Sequence, residues 1–282
     1  MKILNYYSIN ENIPEVKCIQ IKKNYDERGF FLETYKESEF NNLFFEANQY
    51  DIENNFEIKK NLFPILSNPI KQMNESFSKK DVFRGLHIQW NPAISKLVRI
   101  VYGHIIDIAM DVRINSPTFG QTVVFPLANF IDQDYEEYIF IPKGFAHGFN
   151  TIENSLIQYL YDGEYSKDEV SIKWGGKLLE DSTKFIISDK DKNGISLEEW
   201  KQHEGSKNFF YLFSNEGDYR PLSFKRNLVY INIKNKKDNI KKTILFQTSE
   251  GIGIENGIFI SYQELFDNYV FIDGSICGER MK

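Results

Sequence analysis

Between about residue 83 and residue 174 the apolar residues come in short runs and alternations cut by turn signals, with little 3.6-residue periodicity, which confines this region to strands. Lys96 to Val101 is followed by a Tyr102-Gly103 break, then Ile105 to Val112, then the turn cluster Asn115-Ser116-Pro117. Gln121 to Leu127, Tyr138 to Ile141 and Ser155 to Tyr161 continue the series, with Pro142-Lys143-Gly144 between the last two. No crossover helix separates these segments, so neighbours are expected to pair antiparallel. Short strands at near-regular intervals build a sandwich, a jelly roll or a small barrel. The aromatic content agrees: 24 Phe, 16 Tyr and 3 Trp, 15% of the chain, suit pleated half-buried surfaces and also stack on planar ligands.

The flanks read differently. Tyr35 to Phe45 is compatible with a short helix, and residues 45–70 form a polar surface excursion without a clear period. A polar stretch from Ser188 to Gly194 precedes a third region. There Asn208 to Phe213, Asn227 to Ile233 and Lys242 to Gln247 are strand-like, and Gly251 to Gly257 is too short and glycine-rich for a helix. The division expected is a β domain over 1–200 and a small β-rich C-terminal extension over 201–282, marginal in size as an independent fold.

Charge and cysteine content narrow the function. With 34 basic and 40 acidic side chains the net charge is −6 and no long stretch is strongly basic, which argues against nucleic acid as a partner. From Arg84 to Arg113, however, Arg84, Lys96, Arg99 and Arg113 outnumber Asp107 and Asp111, a local field suited to a small polyanion. Cys18 and Cys277, near opposite ends, make neither a disulfide framework nor a zinc cluster. The N-terminus turns polar too early for a signal peptide, and no run approaches the roughly 18 apolar residues of a membrane span. The expectation is a cytoplasmic protein without a membrane partner.

Four histidines leave few candidates for chemistry. His87 lies in Arg84-Gly85-Leu86-His87-Ile88-Gln89 and His147 in Gly144-Phe145-Ala146-His147-Gly148-Phe149. In a regular strand Arg84 and His87 point to opposite faces, unless Gly85 bulges the chain and lets both approach one ligand. A His-x-His metal pair would need a second histidine where Gln89 stands, so no metal is expected. Phosphate-binding glycine loops and a Gly-x-Ser-x-Gly elbow are absent.

Six segments, in order, carry a resemblance. They are Asp26 to Glu33, Gln72 to Ser76, Arg84 to His87, Ser95 to Val98, Asp111 to Arg113 with Ser116 to Gly120, and Gly144 to Phe149. Over roughly residues 15–198 the chain resembles the dTDP-4-dehydrorhamnose 3,5-epimerase family; the last 82 residues match no family by their motifs. The resemblance implies a cupin-like jelly roll (double-stranded β-helix) and a homodimer. It also implies inversion of C3, C5 or both in a nucleotide-linked 4-keto-6-deoxyhexose, without metal or organic cofactor, in surface-polysaccharide synthesis.

Such chemistry needs a base on one side of the sugar, an acid on the other and positive charge at the enolate oxygen. The resemblance assigns the base to His87, its carboxylate partner to Asp191, the cation to Lys96 and the acid to Tyr159. An ordinary solvated edge-strand lysine is the competing use of Lys96, and packing alone would not separate Tyr159 from Tyr161. A phenol with an ordinary pKa near 10 is the expected acid. Arg28, Phe31, Glu33, Gln72, Asn74 and Arg84 are assigned to nucleotide and diphosphate, with His147, Asp107 and Tyr165 lining the pocket; arginine suits phosphate through its planar fork. Two alternatives remain open: a 3,4-ketoisomerase on the same class of substrate, and a non-catalytic nucleotide-sugar-binding module.

Overall fold

The structure, a computed structural model, describes residues 1–10, 12–40, 69–114, 116–175, 184–209, 228–247, 252–255, 258–260 and 269–276. The expected excursion at 45–70 therefore lies almost wholly outside the described residues. Of the expected helix at Tyr35 to Phe45, residues 37–40 are helical and 41–45 also fall outside.

Two sheets dominate. The first has the order β1 (Ile3–Asn10), β2 (Ile13–Lys22), β10 (Tyr135–Ile141), β7 (Lys96–Tyr102), β12 (Ser155–Tyr161), β5 (Gln72–Ser78). The second runs β13 (Glu169–Ser171), β6 (Val82–Gln89), β11 (Phe145–Thr151), β8 (His104–Asp111), β9 (Thr122–Ala128). All of these neighbours pair antiparallel, as the short connections require; the exception is β14 (Ile186–Ile187), which lies parallel to β6. The fold is the mainly β jelly roll expected from the strand spacing.

Both faces of the second sheet are covered, which is why its strands show little alternation. Every residue of β11 is buried, and all of β8 after His104. Between the sheets Val98, Ile100, Ala109, Phe125, Phe145 and Phe149 pack together. On the outer side of the second sheet Leu86, Ile108, Met110 and Ala146 meet Trp200 and Phe209.

Trp200 lies on helix α2 (Leu197–Gln202), which Ser196 starts with a capping box to Glu199; α1 (Asp189–Lys192) precedes it. The buried indole donates from Nε1 to Val112 O at 2.8 Å. Residues 201–209 continue the same packing. A 3-10 helix over Glu204–Asn208 sets Gly205 against the Trp90 ring, Asn208 Nδ2 donates to Trp90 O at 2.9 Å, and Ile114 N donates to Phe209 O at 2.7 Å. The first nine residues assigned by sequence to the extension thus pack on the jelly roll. Asn208 ends the 3-10 helix, and not a strand as the apolar run suggested; 210–213 lie outside the described residues. Beyond residue 228, β15 (Leu228–Asn235), β16 (Lys241–Gln247), β17 (Ile252–Glu255), β18 (Ile258–Ile260) and β19 (Tyr269–Ile276) make a separate antiparallel sheet in the order β18-β17-β16-β15-β19.

The feature of the fold that matters most to function is a bulge in β6. Opposite β11, His87 pairs with His147 and Arg84 with Phe149, so three steps along β6 match two along β11. Phe149 packs in the inter-sheet core and His147 is two residues away, so Arg84 and His87 both face inward. Gly85 makes this possible. Its φ is +108°, and a Cβ there would stand 2.7 Å from both Gly148 Cα and His147 O. Gly148 answers it, since a Cβ on that residue would lie 2.3 Å from Arg84 O. Gly85→Ala is therefore expected to lower unfolding free energy by about 2 kcal/mol or more in urea titration. An unchanged midpoint would contradict the close approach described.

Candidate active site

The inner face of the sandwich holds apolar side chains at one end and polar ones at the other. On β5 the inward positions Gln72, Asn74, Ser76 and Ser78 are all polar, set opposite Tyr161, Tyr159, Ile157 and Ser155 of β12. His87 projects from β6, beside His147 of β11. Lys96 opens β7, flanked by Ile141 of β10 and Tyr161 of β12. It shares its face with Val98 and Ile100, so it is an inward residue of a central strand and not a solvated edge lysine.

Asp191 organises the His87 side. Its Oδ1 is 2.7 Å from His87 Nε2 and accepts from Ser171 Oγ at 2.8 Å, and its Oδ2 accepts from Gly85 N at 3.3 Å. The turn that carries it is capped by Ser188, whose Oγ accepts from Asp191 N. Burial pushes the carboxyl up, but the hydrogen bond and charge of His87, with the Ser171 and Gly85 donors, bring its pKa down to about 2. An ionised carboxylate only accepts, so Nε2 of His87 carries the proton and Nδ1 the lone pair.

A second pair stands beside the first: His147 Nε2 donates to Asp107 Oδ2 at 2.8 Å, with both side chains buried. Burial lowers the His147 pKa against the pull of Asp107, and the neighbouring Lys96 and His87 lower it further, which keeps this ring neutral. Its edge meets the Tyr159 ring at 6.4 Å between centroids and 72° between planes.

On the facing sheet, Tyr159 OH lies 2.9 Å from Ser76 Oγ. Burial raises its pKa well above the ordinary phenol value, only partly offset by the Ser76 hydrogen bond. The expectation of an ordinary phenol pKa is thus corrected: the low-polarity interior between the sheets holds the group more firmly protonated. Tyr161 stacks on Tyr159 with planes 4° apart. Tyr159, deeper and in contact with His147, is the one that faces the His87 wall.

Lys96 makes no hydrogen bond or ion pair with its ammonium among the described residues. Burial lowers its pKa, opposed by Glu169 and Asp107 and reinforced by Lys190. Glu169 and Lys190 form an ion pair at this end of the sandwich. These two, with Ser76 and Ser171, are site residues that sequence reasoning missed. The run of polar residues at alternate positions from Gln72 to Ser78 was the available signal for Ser76; no local pattern marks the others.

The remaining assignments divide by position. Arg84 Nε donates to Ser78 Oγ at 2.9 Å, Gln72 Nε2 donates to Asn74 Oδ1 at 3.0 Å, and Tyr165 N donates to Gln72 Oε1 at 2.7 Å with the Tyr165 ring exposed. Gln72, Asn74 and Tyr165 lie at the Lys96 end of β5, and Arg84 lies further along it, at Ser78. Arg28, Phe31 and Glu33 lie at the opposite edge of the first sheet. Arg28 pairs with Asp26 in the turn of the hairpin β3 (Asn24–Asp26) and β4 (Gly29–Phe31), Phe31 is 66% exposed, and Glu33 meets the N-terminal amine. Tyr25 ties this hairpin to Ile131 and Gln133, just before Tyr135 of β10, whereas Lys96 pairs with Ile141 at the far end of that strand. Gln89, in the place of a second metal-binding histidine, is engaged structurally: it donates to Pro92 O and Glu164 O and accepts from Ser166 N. Among the described residues no group of three or more His, Cys, Asp or Glu side chains is placed to hold a metal ion. No described helix is long and apolar enough to cross a membrane.

Residues 10–199 match the dTDP-4-dehydrorhamnose 3,5-epimerase family. The chain belongs to that family. Its similarity to the dTDP-4-dehydrorhamnose 3,5-epimerase of Methanothermobacter thermautotrophicus is 35% identity over 185 residues, 62% of this chain and 85% of the relative. With the Escherichia coli enzyme of the same name it shares 31% over 200 residues, 68% and 94% of the two chains. Among solved structures, the epimerase of Sulfolobus tokodaii superposes with a TM-score of 0.52 at 33% identity, covering 70% of this chain and 97% of the other. The dTDP-6-deoxy-D-glucose-3,5-epimerase of Legionella pneumophila, solved with dTDP-4-keto-L-rhamnose, gives 0.54 at 29%, covering 74% and 100%. The family match ends before residue 200, so the β15–β19 sheet lies outside it.

The Asp191 pKa carries a stability consequence. A carboxyl held near 2 against an ordinary 3.8 stabilises the fold above pH 4 and loses that contribution as pH falls towards 2. The difference corresponds to about 2 kcal/mol. Asp191→Asn is expected to lose about that much stability at pH 7 and to flatten the acid limb between pH 4 and 2 in denaturant titrations; an unaltered acid limb would contradict the pairing.

Proposed function

We propose that this chain inverts C3, C5 or both of a dTDP-linked 4-keto-6-deoxyhexose, using His87 as base and Tyr159 as acid from opposite walls of the sandwich. The observation that carries the proposal is the His87–Asp191 pair on the second sheet facing a deeply set, protonated Tyr159 on the first. His87 Nδ1 takes the proton from the carbon beside the C4 carbonyl, and Asp191 stabilises the imidazolium that results. The electron pair moves onto the carbonyl oxygen as an enolate. Lys96, whose ammonium has no fixed partner among the described residues, stabilises that oxygen. Tyr159 returns a proton to the opposite face of the carbon, leaving a phenolate that regains its proton from solvent as His87 loses its own.

Arg84, Gln72 and Asn74, set along β5 and the β6 bulge, would hold the diphosphate and nucleotide. Arg28, Phe31 and Glu33, on a hairpin at the other edge of the first sheet, would complete the nucleotide site of a second copy in a homodimer. Support for such a dimer comes from the outer side of edge strand β5, where Met73 and Phe77 are 60% and 57% exposed beside an exposed Tyr102.

Incubated with dTDP-4-keto-6-deoxyglucose in deuterated water, the protein is expected to place deuterium at C3, C5 or both. His87→Ala should reduce exchange to the uncatalysed background, and Tyr159→Phe should preserve proton removal at one centre while losing net inversion. A carbonyl found by NMR at C3, or binding without exchange, would overturn the proposal. Mixed dimers test the subunit arrangement: combining inactive His87→Ala and weakly active Arg28→Ala chains should restore up to about a quarter of native activity, through the one site type that draws no altered residue. No restoration would place Arg28 at its own chain's site.

A further inference from the structure

Lys96 has to deliver its ammonium to one oxygen, yet it is the first residue of β7 and the chain before it is a loop. On one side it pairs with Ile141 of β10 and on the other with Tyr161 of β12. Two residues beyond Ile141 stands Lys143, and one beyond Tyr161 stands Asp162. Lys143 Nζ lies 3.1 Å from Asp162 Oδ2, and Asp162 Oδ1 accepts from Ser95 N at 2.6 Å. Ser95 O in turn accepts from Asp162 N at 3.4 Å. The two flanking strands are thus joined across the end of β7, directly ahead of Lys96. The Asp162 side chain is fully buried and Lys143 remains partly open to solvent.

This arrangement is costly to maintain for packing alone. A buried carboxylate needs an opposite charge and hydrogen-bond donors to stay ionised, and here the donor is the backbone N–H next to Lys96 and the opposite charge a lysine in the turn after β10. The Asp162 bond to the Ser95 amide gives it a route to Lys96 through the backbone. The leverage is geometric. A tilt of about 10° at Lys96 Cα would displace an ammonium about 6 Å away by about 1 Å, enough to cost one to two orders of magnitude in rate.

We propose that Asp162, held by Lys143, is a positioning residue for the epimerisation: by accepting the Ser95 amide it closes the end of β7 and fixes the backbone from which Lys96 reaches the enolate oxygen. The proposal rests on the reading of Lys96 as the enolate's cation, so the test includes Lys96 itself.

The experiment is a double-mutant cycle on the full chain, measuring kcat and KM for Lys96→Met, Asp162→Ala and the two combined. Lys96→Met is expected to lower kcat. Asp162→Ala should lower kcat about 10- to 100-fold with KM within about twofold, and should cause no further loss when added to Lys96→Met. Asp162→Asn, which keeps an oxygen for the Ser95 amide while Lys143 swings to solvent, should recover kcat to within about fivefold of native. If Asp162→Ala is not recovered folded, Lys143→Met enters the same cycle, with a fall of about three- to tenfold that disappears in the Lys96→Met background. Losses that multiply in the double variant, or an unchanged kcat for Asp162→Ala, would show a purely structural pair and overturn the proposal. A native kcat for Lys96→Met would overturn the reading of Lys96 first, and the positioning role with it.

Discussion

The Asp191 carboxylate is the point at which separate parts of this chain are brought to one purpose. It takes hydrogen bonds from His87 and Gly85 of β6 and from Ser171 of β13, and its own turn is capped by Ser188. One buried charge therefore sets the tautomer of His87, anchors the bulged segment that turns Arg84 and His87 to the same side, and docks the α1 turn onto the second sheet. A buried carboxylate without such donors would be protonated or would destabilise the fold. In the proposed reaction the same charge would make His87 a better base, by stabilising the imidazolium formed on proton removal.

The two walls are built on opposite electrostatic principles. The His87 wall is polar and tightly hydrogen-bonded, with two carboxylate–imidazole pairs side by side. The Tyr159 wall is a buried phenol on a single serine hydroxyl, kept neutral by its surroundings. The proposed base and acid thus differ in which protonation state the protein favours. Lys96, between them in sequence and on the Tyr159 sheet, has no partner for its ammonium among the described residues, while Glu169 and Lys190 pair with each other.

Much of the architecture was legible because strand spacing and turn residues are local signals. The Lys96 to Val101, Ile105 to Val112 and Ser155 to Tyr161 segments lie where the alternation and breaks put them. What was not legible depends on distant partners. In the sequence, Gly85 only permits a bulge in β6. Whether one forms depends on Gly148, 63 residues on, lacking a side chain at the point of contact. Asp191 and Ser171 carry no local mark, and Asp191 was reached through resemblance alone. The phenol's raised pKa comes from burial between two sheets, which no spacing rule reports. A polar stretch sets residues 201–209 apart with the extension in sequence, yet Phe209 belongs to the core beside Trp200. Arg28, Phe31 and Glu33 match a nucleotide-binding pattern by resemblance, yet stand away from His87 and Asp191 in their own chain, which no local signal foretells.

The proton position on His87, read by 15N NMR of histidine-labelled protein near neutral pH, tests the Asp191 pairing most directly. Nε2 is expected to carry the proton and Nδ1 to be unprotonated in the neutral ring, and Asp191→Asn to disturb His87 while leaving His147 unchanged. A proton on Nδ1 of the neutral His87 ring, or a His87 signal indifferent to Asp191→Asn, would contradict that pairing.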